Sequence, residues 1–330
     1  MYYDIRSRLP RLKAINIIIG GRGIGKTYSA LSFMLEQPEP FIYLRNTDVQ
    51  MQESASVFGN PFKRLNKDLG RCVSLDAEKR HYLITEQPPE EDKKIIGYGS
   101  ALSTFSNLRG VDLSDCKWAV FDEFIERRTL SFKQFDAFAG FYETVNRNRE
   151  IQGEEPFKVI LLSNSQTLQN DILAGYGLIN KITEMFKNGE RIYTNRDIYL
   201  ELPTVEISAL KKDTANYRLI AGSGVAREAL ENEFYYDSMS GVGSRPVNEY
   251  VPVCLFNNKG DCITFYRHKS KGTVYAAARF DWSCKAYDAD KYLLFLREYG
   301  LQFKEYYIRG RLEYDTYATK IKVENLLKCG

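Results

Sequence analysis

The stretch INIIIGGRGIGKTYSA, residues 15–30, decides the fold of this chain. Its apolar run at 15–19 is typical of a buried strand in a parallel sheet. A glycine-rich turn follows, and residues 26–35 then have the composition of a helix. Residues 20–27 match the pattern G-x-x-x-x-G-K-[ST] in full, between the strand and the helix that this motif requires. The stretch therefore predicts a loop that binds the phosphates of a nucleotide.

Each residue type in this loop has a physical reason to be there. Glycines let the backbone turn its N–H groups toward the β- and γ-phosphates, while the positive end of the following helix faces them. Lys26 neutralises phosphate charge, and Thr27 offers a hydroxyl to Mg²⁺. The predicted nucleotide-binding residues of the loop are Gly20, Gly21, Arg22, Gly23, Ile24, Gly25, Lys26 and Thr27.

Two acidic residues end a second apolar run. KWAVFDEF, residues 117–124, predicts a buried strand that finishes at Asp122 and Glu123. Together with Thr27, Asp122 is the expected metal ligand, because phosphate-loop enzymes need a carboxylate at this strand end. Glu123 would polarise the attacking water. The pair therefore favours hydrolysis of the nucleotide over binding alone.

Two further strands help to choose the class of enzyme. FKVILLSNS, residues 157–165, lacks the Asn-Lys-x-Asp motif with which small GTPases read guanine. A strand-borne Asp-Glu pair is instead typical of ATP-hydrolysing motors of the additional-strand class. In such motors, a polar residue at the end of the next strand senses the γ-phosphate. Ser163 and Asn164 are placed for this role, the alternative being a simple strand-end turn. Arg45, after the strand FIYLR at 41–45, is a candidate for contact with the adenine or the phosphates.

Hydrolysis also needs a cation for the charge that develops on the transferred phosphoryl group. Arg22 lies inside the loop, Arg109 precedes the acidic strand, and Arg147 and Arg149 belong to the segment NRNR. In a ring, an arginine outside the loop would reach the nucleotide of a neighbouring subunit. The alternative for each is an ordinary solvated side chain.

The chain is long enough for two domains. Residues 1–200 alternate strands with helices, the clearest helix at 131–149, and so predict an α/β domain with a mainly parallel sheet. Residues 201–245 hold clusters of Gly, Ser and Asn, with one short helical patch near 224–234, and are assigned to a linker region. Residues 246–330 begin with three strand-like runs separated by turns, which predict an antiparallel meander in an α+β domain.

Composition excludes several classes of protein. The 46 basic and 43 acidic residues give a net charge of only +3, so the whole chain has no strongly basic signature. Six cysteines without a C-x-x-C pair, and only two histidines, support reduced thiols over a zinc site. No window approaches the ~20 apolar residues of a membrane span, and the N terminus lacks the apolar core of a secretory signal. We therefore expect an intracellular protein without a membrane partner.

Five segments in this order resemble one known family: IIIGGRGIGKTYSA, FIYLR, VFDEFI, TVNRNRE and LLSNS. They resemble the genome-packaging ATPase of small short-tailed podophages of the phi-twenty-nine type, a terminase-like additional-strand ATPase. The specific parts are the arginine inside the loop, Asp-Glu-Phe-Ile after the strand, and Asn-Arg-Asn-Arg. The resemblance covers most of residues 14–200, and beyond 200 it rests on domain order.

The resemblance implies a ring-forming viral motor that uses ATP and Mg²⁺ to drive double-stranded DNA into a preformed capsid. The residues that match the family's ATP site are Lys26, Thr27, Asp122 and Glu123. Arg147 matches the arginine finger that acts on a neighbouring subunit, and Arg109 matches a basic position at the subunit interface. The ring, a pentamer by resemblance, would sit on the capsid portal, with a packaging RNA between them in the best-known members. The protein would therefore work in the host cytoplasm and transiently on the procapsid.

The resemblance also implies that the C-terminal domain is an RNase H-like domain without catalytic acids. The candidate strands 251–257, 262–267 and 273–280 contain no acidic residue in their interiors, whereas a two-metal nuclease needs converging carboxylates. Nuclease activity is therefore not expected. Basic and aromatic residues near these strands favour contact with a nucleic-acid backbone, the alternative being an ordinary solvated turn. They are Arg267, His268, Lys269, Lys271, Arg279, Tyr266 and Tyr275.

Two other functions remain open from the sequence. One is a different ATP-driven nucleic-acid enzyme, such as a helicase-like or replication ATPase. The other is a nucleotide-binding module with a structural role in a particle, which Glu123 disfavours because binding alone does not need it. A packaging motor is expected to respond to duplex DNA and capsids.

Overall fold

A computed structural model describes residues 2–78, 81–89, 92–108, 112–126, 130–231, 234 and 237–328. The chain divides into two compact units. The first comprises Met1–Gly175 and Met185–Tyr236, and the second comprises Tyr176–Glu184 and Asp237–Gly330.

Within the described residues, the first unit contains a nine-stranded sheet. Its strands are β1 (Ile15–Ile19), β2 (Phe41–Arg45), β3 (Val73–Glu78), β4 (His81–Glu86), β5 (Lys94–Ala101), β6 (Trp118–Asp122), β7 (Lys158–Ser163), β8 (Ile192–Thr194) and β9 (Ile198–Glu201). The spatial order is β3-β4-β5-β2-β6-β7-β1-β9-β8. The six strands from β5 to β9 in this order pair in parallel, and the outer strands pair antiparallel. The predicted α/β fold with a mainly parallel sheet is confirmed.

Helices pack on both faces of this sheet. Up to residue 231 the helices of the chain are α1 (Lys26–Met34), α2 (Asp48–Ser54), α3 (Lys63–Leu69), α4 (Gln134–Asn146), α5 (Asp171–Gly175), α6 (Leu178–Asn188), α7 (Glu206–Lys211), α8 (Ala215–Leu219) and α9 (Gly224–Glu231), and residues 178–184 of α6 belong to the second unit. The shorter 3-10 helices are Ile5–Arg11, Leu102–Leu108 and Arg149–Gln152. Buried side chains of α1, α2 and α3 share one core with the sheet. On the other face, α4 packs Phe138 on Phe121, with ring centroids 6.0 Å apart.

Part of the segment assigned to a linker is helical and belongs to the first unit. Residues 206–231 contain α7, α8 and α9, and Ala226 and Ala229 of α9 are buried. Just beyond α9, the ring of Phe234 packs edge-on against Phe186, with centroids 5.2 Å apart. Because these apolar side chains are widely spaced among Gly, Ser and Asn, the local composition alone indicated a linker.

Strand order places the ends of β1, β2, β6 and β7 at one edge of the sheet. In a parallel sheet, ligands bind beyond the carboxyl ends of the strands. β7 lies between β1 and β6, so these two strands run roughly 10 Å apart. This spacing leaves a gap between the phosphate loop after β1 and the acidic residues after β6.

The second unit contains a five-stranded sheet within the described residues. Its strands are β10 (Tyr250–Asn258), β11 (Asp261–His268), β12 (Val274–Ala277), β13 (Lys285–Asp288) and β14 (Leu312–Tyr314). β10, β11 and β12 form the predicted antiparallel meander, while β13 and β14 are parallel strands at opposite edges. The helices are α10 (Tyr292–Phe295), α11 (Leu301–Ile308) and α12 (Tyr317–Leu327), with a π-helix at Leu296–Gly300 and 3-10 turns at Val247–Glu249 and Ala289–Lys291.

Candidate active site

The phosphate loop is tied to the neighbouring strand. The backbone N–H of Gly20 donates to the carbonyl of Ser163, at the end of β7, over 3.1 Å. Gly23 and Gly25 have φ angles of 68° and 97°, a left-handed conformation that glycine adopts without steric cost. Gly25 is also the N-cap of α1, so the N–H groups of the first helical turn begin at the loop. The backbone therefore has the form of the predicted anion-binding turn.

Lys26 connects this loop to the end of β7. Its side chain is buried, and Nζ donates to the carbonyls of Gly20 and Gly21 at 2.8 and 2.9 Å. The same ammonium donates to Oδ1 of Asn164 at 3.2 Å. The structure thus brings the predicted phosphate lysine together with the polar residue that follows β7.

Asp122 lies at the end of β6 and faces Thr27. The Thr27 hydroxyl donates to Asp122 Oδ1 at 2.9 Å, and the Tyr43 hydroxyl donates to Oδ2 at 3.3 Å. Burial raises the pKa of the Asp122 carboxyl, and the guanidinium of Arg45 opposes that shift. Two adjacent oxygen donors fit Mg²⁺, which commonly takes one or two protein oxygens and completes its shell with phosphates and water. No cluster of three or more His, Cys, Asp or Glu suited to a metal occurs in the described residues.

Glu123 has an unusual backbone conformation for a residue with a side chain. Its φ is 53°; a non-glycine residue in this left-handed region is uncommon, and strained residues of this kind cluster at active sites. Its side chain is 55% exposed and accepts a hydrogen bond from Arg45 Nη2 at 2.6 Å. Arg45 Nη1 lies 3.5 Å from Asp122 Oδ2, so one guanidinium contacts both acids.

Three buried side-chain amides hold the backbone beside Glu123. Asn46 donates to the Glu123 carbonyl at 2.9 Å, and Gln134 donates to Asn46 Oδ1 and the Phe124 carbonyl at 2.5 and 2.6 Å. Asn170 donates to Gln134 Oε1 at 2.7 Å and to the Phe124 carbonyl at 3.3 Å. We call Asn46, Gln134 and Asn170 the amide network. Because these bonds satisfy buried polar groups, they stabilise the turn that presents Glu123.

A cavity of about 210 Å³ lies between the loop and the two acids. Its lining residues are Arg22, Gly23, Gly25, Lys26, Thr27, Tyr28, Asp122, Glu123, Ser163 and Asn164. The hydroxyl of Ser163 is buried and has no hydrogen-bond partner among the described residues. A buried polar atom of this kind normally has a partner, and a phosphate oxygen in the cavity would supply one. The donors therefore fit a nucleotide with its metal ion.

Two cations near the site make contacts that the sequence did not predict. Arg45, a candidate for the adenine or the phosphates, is 13% exposed and pairs with the two acids. Lys211 of α7, within the segment assigned to a linker, donates from Nζ to the carbonyl of Arg22 in the loop. Burial lowers the pKa of the Lys211 ammonium, and the nearby Arg22 adds to that effect. Neither contact has a local sequence signal, because each joins elements that are distant along the chain.

Arg147 and Arg149 are not among the residues that line the cavity. Arg147 follows α4 with a φ of 43°, and its half-exposed side chain donates to Asp112 Oδ1 at 2.9 Å. Arg149 is buried and donates to the carbonyls of Ser114 and Cys116. Its contacts are structural. Arg109 lies outside the described residues.

In the second unit, three residues that the sequence grouped as candidates for nucleic-acid contact are buried: Tyr266, Tyr275 and His268. Arg267, Lys269, Lys271 and Arg279 are exposed, as a nucleic-acid contact requires. His268 is buried, and its Nδ1 accepts from the backbone N–H groups of residues 270 and 271 at 3.0 and 3.1 Å. Its Nε2 lies 3.3 Å from a carboxylate oxygen of residue 249. The imidazole therefore holds the turn after β11.

Among the described residues, every helix is too short or too polar to span a membrane.

Comparison with known proteins gives consistent matches over most of the length. Residues 1–295 match the family described as Podovirus DNA encapsidation protein (Gp16). The DNA packaging protein of Bacillus phage phi29 is 24% identical over 293 residues, which cover 86% of this chain and 81% of that protein.

Two further matches agree. The DNA packaging protein of Bacillus phage B103 is 26% identical over 234 residues, covering 68% of this chain and 66% of that protein. Among solved structures, a chain of the bacteriophage Phi-29 viral genome packaging motor assembly matches with a TM-score of 0.70 at 21% identity. That alignment covers 99% of this chain and 98% of the other. The two chains therefore share their fold over nearly their whole length.

Proposed function

This chain belongs to the Podovirus DNA encapsidation protein (Gp16) family, and we propose that it hydrolyses ATP to drive double-stranded DNA into a preformed capsid. The observation that carries the proposal is the meeting of three groups in one cavity: the phosphate loop with Lys26, the oxygen pair Thr27–Asp122, and Glu123. Phosphate binding alone would need only the first of these groups. A carboxylate poised beside the γ-phosphate end is what hydrolysis adds.

Lys26, the loop and the end of β7 hold the phosphates in this proposal. Lys26 exchanges its contacts with loop carbonyls for phosphate oxygens, and Ser163 and Asn164 contact the γ-phosphate. Thr27 and Asp122 hold Mg²⁺, which when bound neutralises charge on the β- and γ-phosphates. The distance of 2.9 Å between the Thr27 hydroxyl and the Asp122 carboxylate supports this assignment.

Glu123 accepts a proton from the attacking water. Its side chain lines the cavity and is exposed enough to meet water there. Arg45 orients Glu123 through a hydrogen bond of 2.6 Å and offsets the charge of the buried Asp122. Arg45 is therefore a positioning residue. It holds the side chain of Glu123, while the amide network holds the backbone beside it.

Replacing Arg45 by Ala is expected to lower the free energy of unfolding by about 3 kcal/mol, since Asp122 would remain buried without its opposite charge. ATP hydrolysis should fall as well, because Glu123 loses its orienting partner. Denaturant unfolding and phosphate release measure the two effects. Arg71→Ala is the matched control, since the Arg71–Glu86 ion pair lies on the antiparallel part of the sheet. If the Arg45→Ala variant hydrolysed ATP at the parent rate, Arg45 would have no role in positioning Glu123.

A neighbouring subunit supplies the cation that stabilises the charge developing on the transferred phosphoryl group. Arg147 lies outside the cavity lining of its own subunit, and its side chain is 47% exposed, which supports a role toward a neighbour's nucleotide. We assign it as the arginine finger of a homo-oligomeric ring, a pentamer by family resemblance. Arg22 is the alternative within the same subunit, because it lines the cavity.

The second unit contacts nucleic acid without cutting it. Its exposed Arg267, Lys269, Lys271 and Arg279 supply positive charge for a phosphate backbone. We propose an RNase H-like domain that has lost nuclease activity, supported by the antiparallel meander with parallel edge strands.

The ring works on the capsid portal in the host cytoplasm, with a packaging RNA as a further candidate partner. This chain shares its fold with a chain of a solved packaging motor assembly, which supports this proposal.

An ATPase assay of the full chain tests the function with three samples: no DNA, duplex DNA, and duplex DNA with empty capsids. Stimulation is expected to rise in that order. Hydrolysis only with single-stranded DNA would favour a helicase-like enzyme and overturn the proposal.

A further inference from the structure

The N-terminal segment is fixed against the phosphate loop. The backbone N–H of Tyr3 donates to the carbonyl of Ile24 at 2.9 Å, and that of Ile5 donates to the Ser29 hydroxyl at 2.8 Å. The Tyr3 ring is buried, and its hydroxyl donates to the buried Glu201 at 3.1 Å. These contacts join residues 2–5 to the loop, to α1 and to β9, so the segment has a defined position beside the site.

Tyr2 differs from Tyr3 in leaving its ring largely open. Its relative exposure is 62%, and a Cβ added at Gly25 would lie 3.4 Å from Tyr2 Cβ and Cδ1. Tyr28, in the first turn of α1, lines the cavity and is 37% exposed. Tyr2 lies beside Gly25, the N-cap of α1, and Tyr28 belongs to the first turn of that helix, so both rings lie near the start of α1. Tyr28 lines the cavity and Tyr2 lies beside Gly25, which also lines it; exposed aromatic rings in this position suggest a ligand contact.

The direction of the nucleotide follows from the groups that hold its phosphates. Glu123 and Asn164 mark the γ-phosphate end of the cavity, and Lys26 serves the β- and γ-phosphates. The α-phosphate then lies at the start of α1. The nucleoside must leave the cavity on the side of Gly25 and Tyr28, which is where the Tyr2 ring lies.

We propose that Tyr2 stacks on the purine base of ATP and that the N-terminal segment forms one wall of the base site. The proposal rests on the proposed function, since it takes the phosphate loop as the ATP site. A tyrosine ring offers an apolar face to the π face of a base, and its backbone is held by the bonds of Tyr3 and Ile5. Tyr2 is thus assigned a contact with the base that the phosphate motif does not supply.

Binding of ADP and of pyrophosphate, measured by calorimetry on the full chain, separates the base from the phosphates. Base–aromatic stacking is lost in Tyr2→Ala, so the Kd for ADP should rise about tenfold or more. The Kd for pyrophosphate should not change, and Tyr2→Phe should bind ADP like the parent. Phe58→Ala is the matched control, since Phe58 is an aromatic residue with 90% exposure that does not line the cavity.

Each outcome decides between the two proposals. If the parent binds ADP and Tyr2→Ala binds it equally well, the stacking role is wrong and the proposed function stands. An equal loss of ADP and pyrophosphate binding in Tyr2→Ala would assign residue 2 to support of the loop and also overturn stacking. If the parent chain binds neither ligand, the proposed function itself fails and the base site with it.

Discussion

The Glu123→Gln variant should bind ATP like the parent chain and hydrolyse it about a hundredfold more slowly, or slower still. A general base contributes roughly 10²–10⁴ to a rate, and an amide cannot accept the proton of the attacking water. The amide keeps the shape of the side chain and an oxygen that can accept the bond from Arg45, so the fold should be preserved. Phosphate release under saturating ATP and equilibrium binding measure the two quantities.

Glu126→Gln is the matched control for this result. Glu126 lies three residues further along the same turn, accepts from Asn46 and Gln50, and does not line the cavity. Hydrolysis should therefore change far less in Glu126→Gln than in Glu123→Gln. Turnover by Glu123→Gln within a few-fold of the parent would show that another group activates the water.

Replacing Arg147 by Ala should leave nucleotide binding intact and reduce hydrolysis by the assembled motor about a thousandfold. Arginine fingers contribute roughly 10³–10⁵ because they stabilise charge that develops only in the transition state. Arg147 lies outside the cavity lining of its own subunit, so binding should not depend on it. ATP turnover and ADP affinity, measured on the same preparation, give the two values.

Mixed rings distinguish action on a neighbour from action within one subunit. A ring with both Arg147→Ala and Glu123→Gln subunits contains interfaces where an intact Glu123 meets an intact Arg147 from its neighbour. Such mixtures should regain part of the activity that both variants lack alone. Lys133→Ala, an exposed change at the other end of α4, should hydrolyse ATP normally. No recovery in mixed rings would contradict action on a neighbour.

The central strands of the first unit were predictable from local sequence. β1 and β2 have the predicted bounds, and β6 and β7 lie inside the predicted ones. Each of these strands is almost wholly buried and so reads as a continuous apolar run. Burial on both faces by neighbouring strands and helices is the reason that composition alone reveals them.

The strands β3, β4 and β5 were not predicted. β5 contains Gly97 and Gly99, which weaken a strand signal. A Cβ at Gly99 would lie 2.7 Å from Tyr82 Cβ of β4 and 2.3 Å from Met51 Cε of α2, so glycine allows both side chains to pack closely there. This requirement comes from a helix and a strand that meet only after folding. The local sequence therefore cannot reveal it.

Part of the candidate site was also predictable from local sequence, and part was not. The phosphate loop, Asp122 and Glu123 follow from motifs whose residues are contiguous in sequence. The contact of Arg45 with both acids depends on β2 lying beside β6, and the amide network joins the end of β2 to α4 and the start of α5. Such contacts follow from strand order, which the sequence pattern left open.

The helix α4 connects the amide network to Arg147. α4 begins at Gln134, which bonds to the Phe124 carbonyl next to Glu123, and its C-cap is Arg147. Its 13 residues form a rod about 20 Å long. The peptide next to Glu123, the proposed catalytic acid, and Arg147, the proposed arginine finger, are thus at the two ends of one stiff helix. In the proposed ring, a shift at one end of α4 would be transmitted to the other, so each subunit would couple its own site to that of its neighbour.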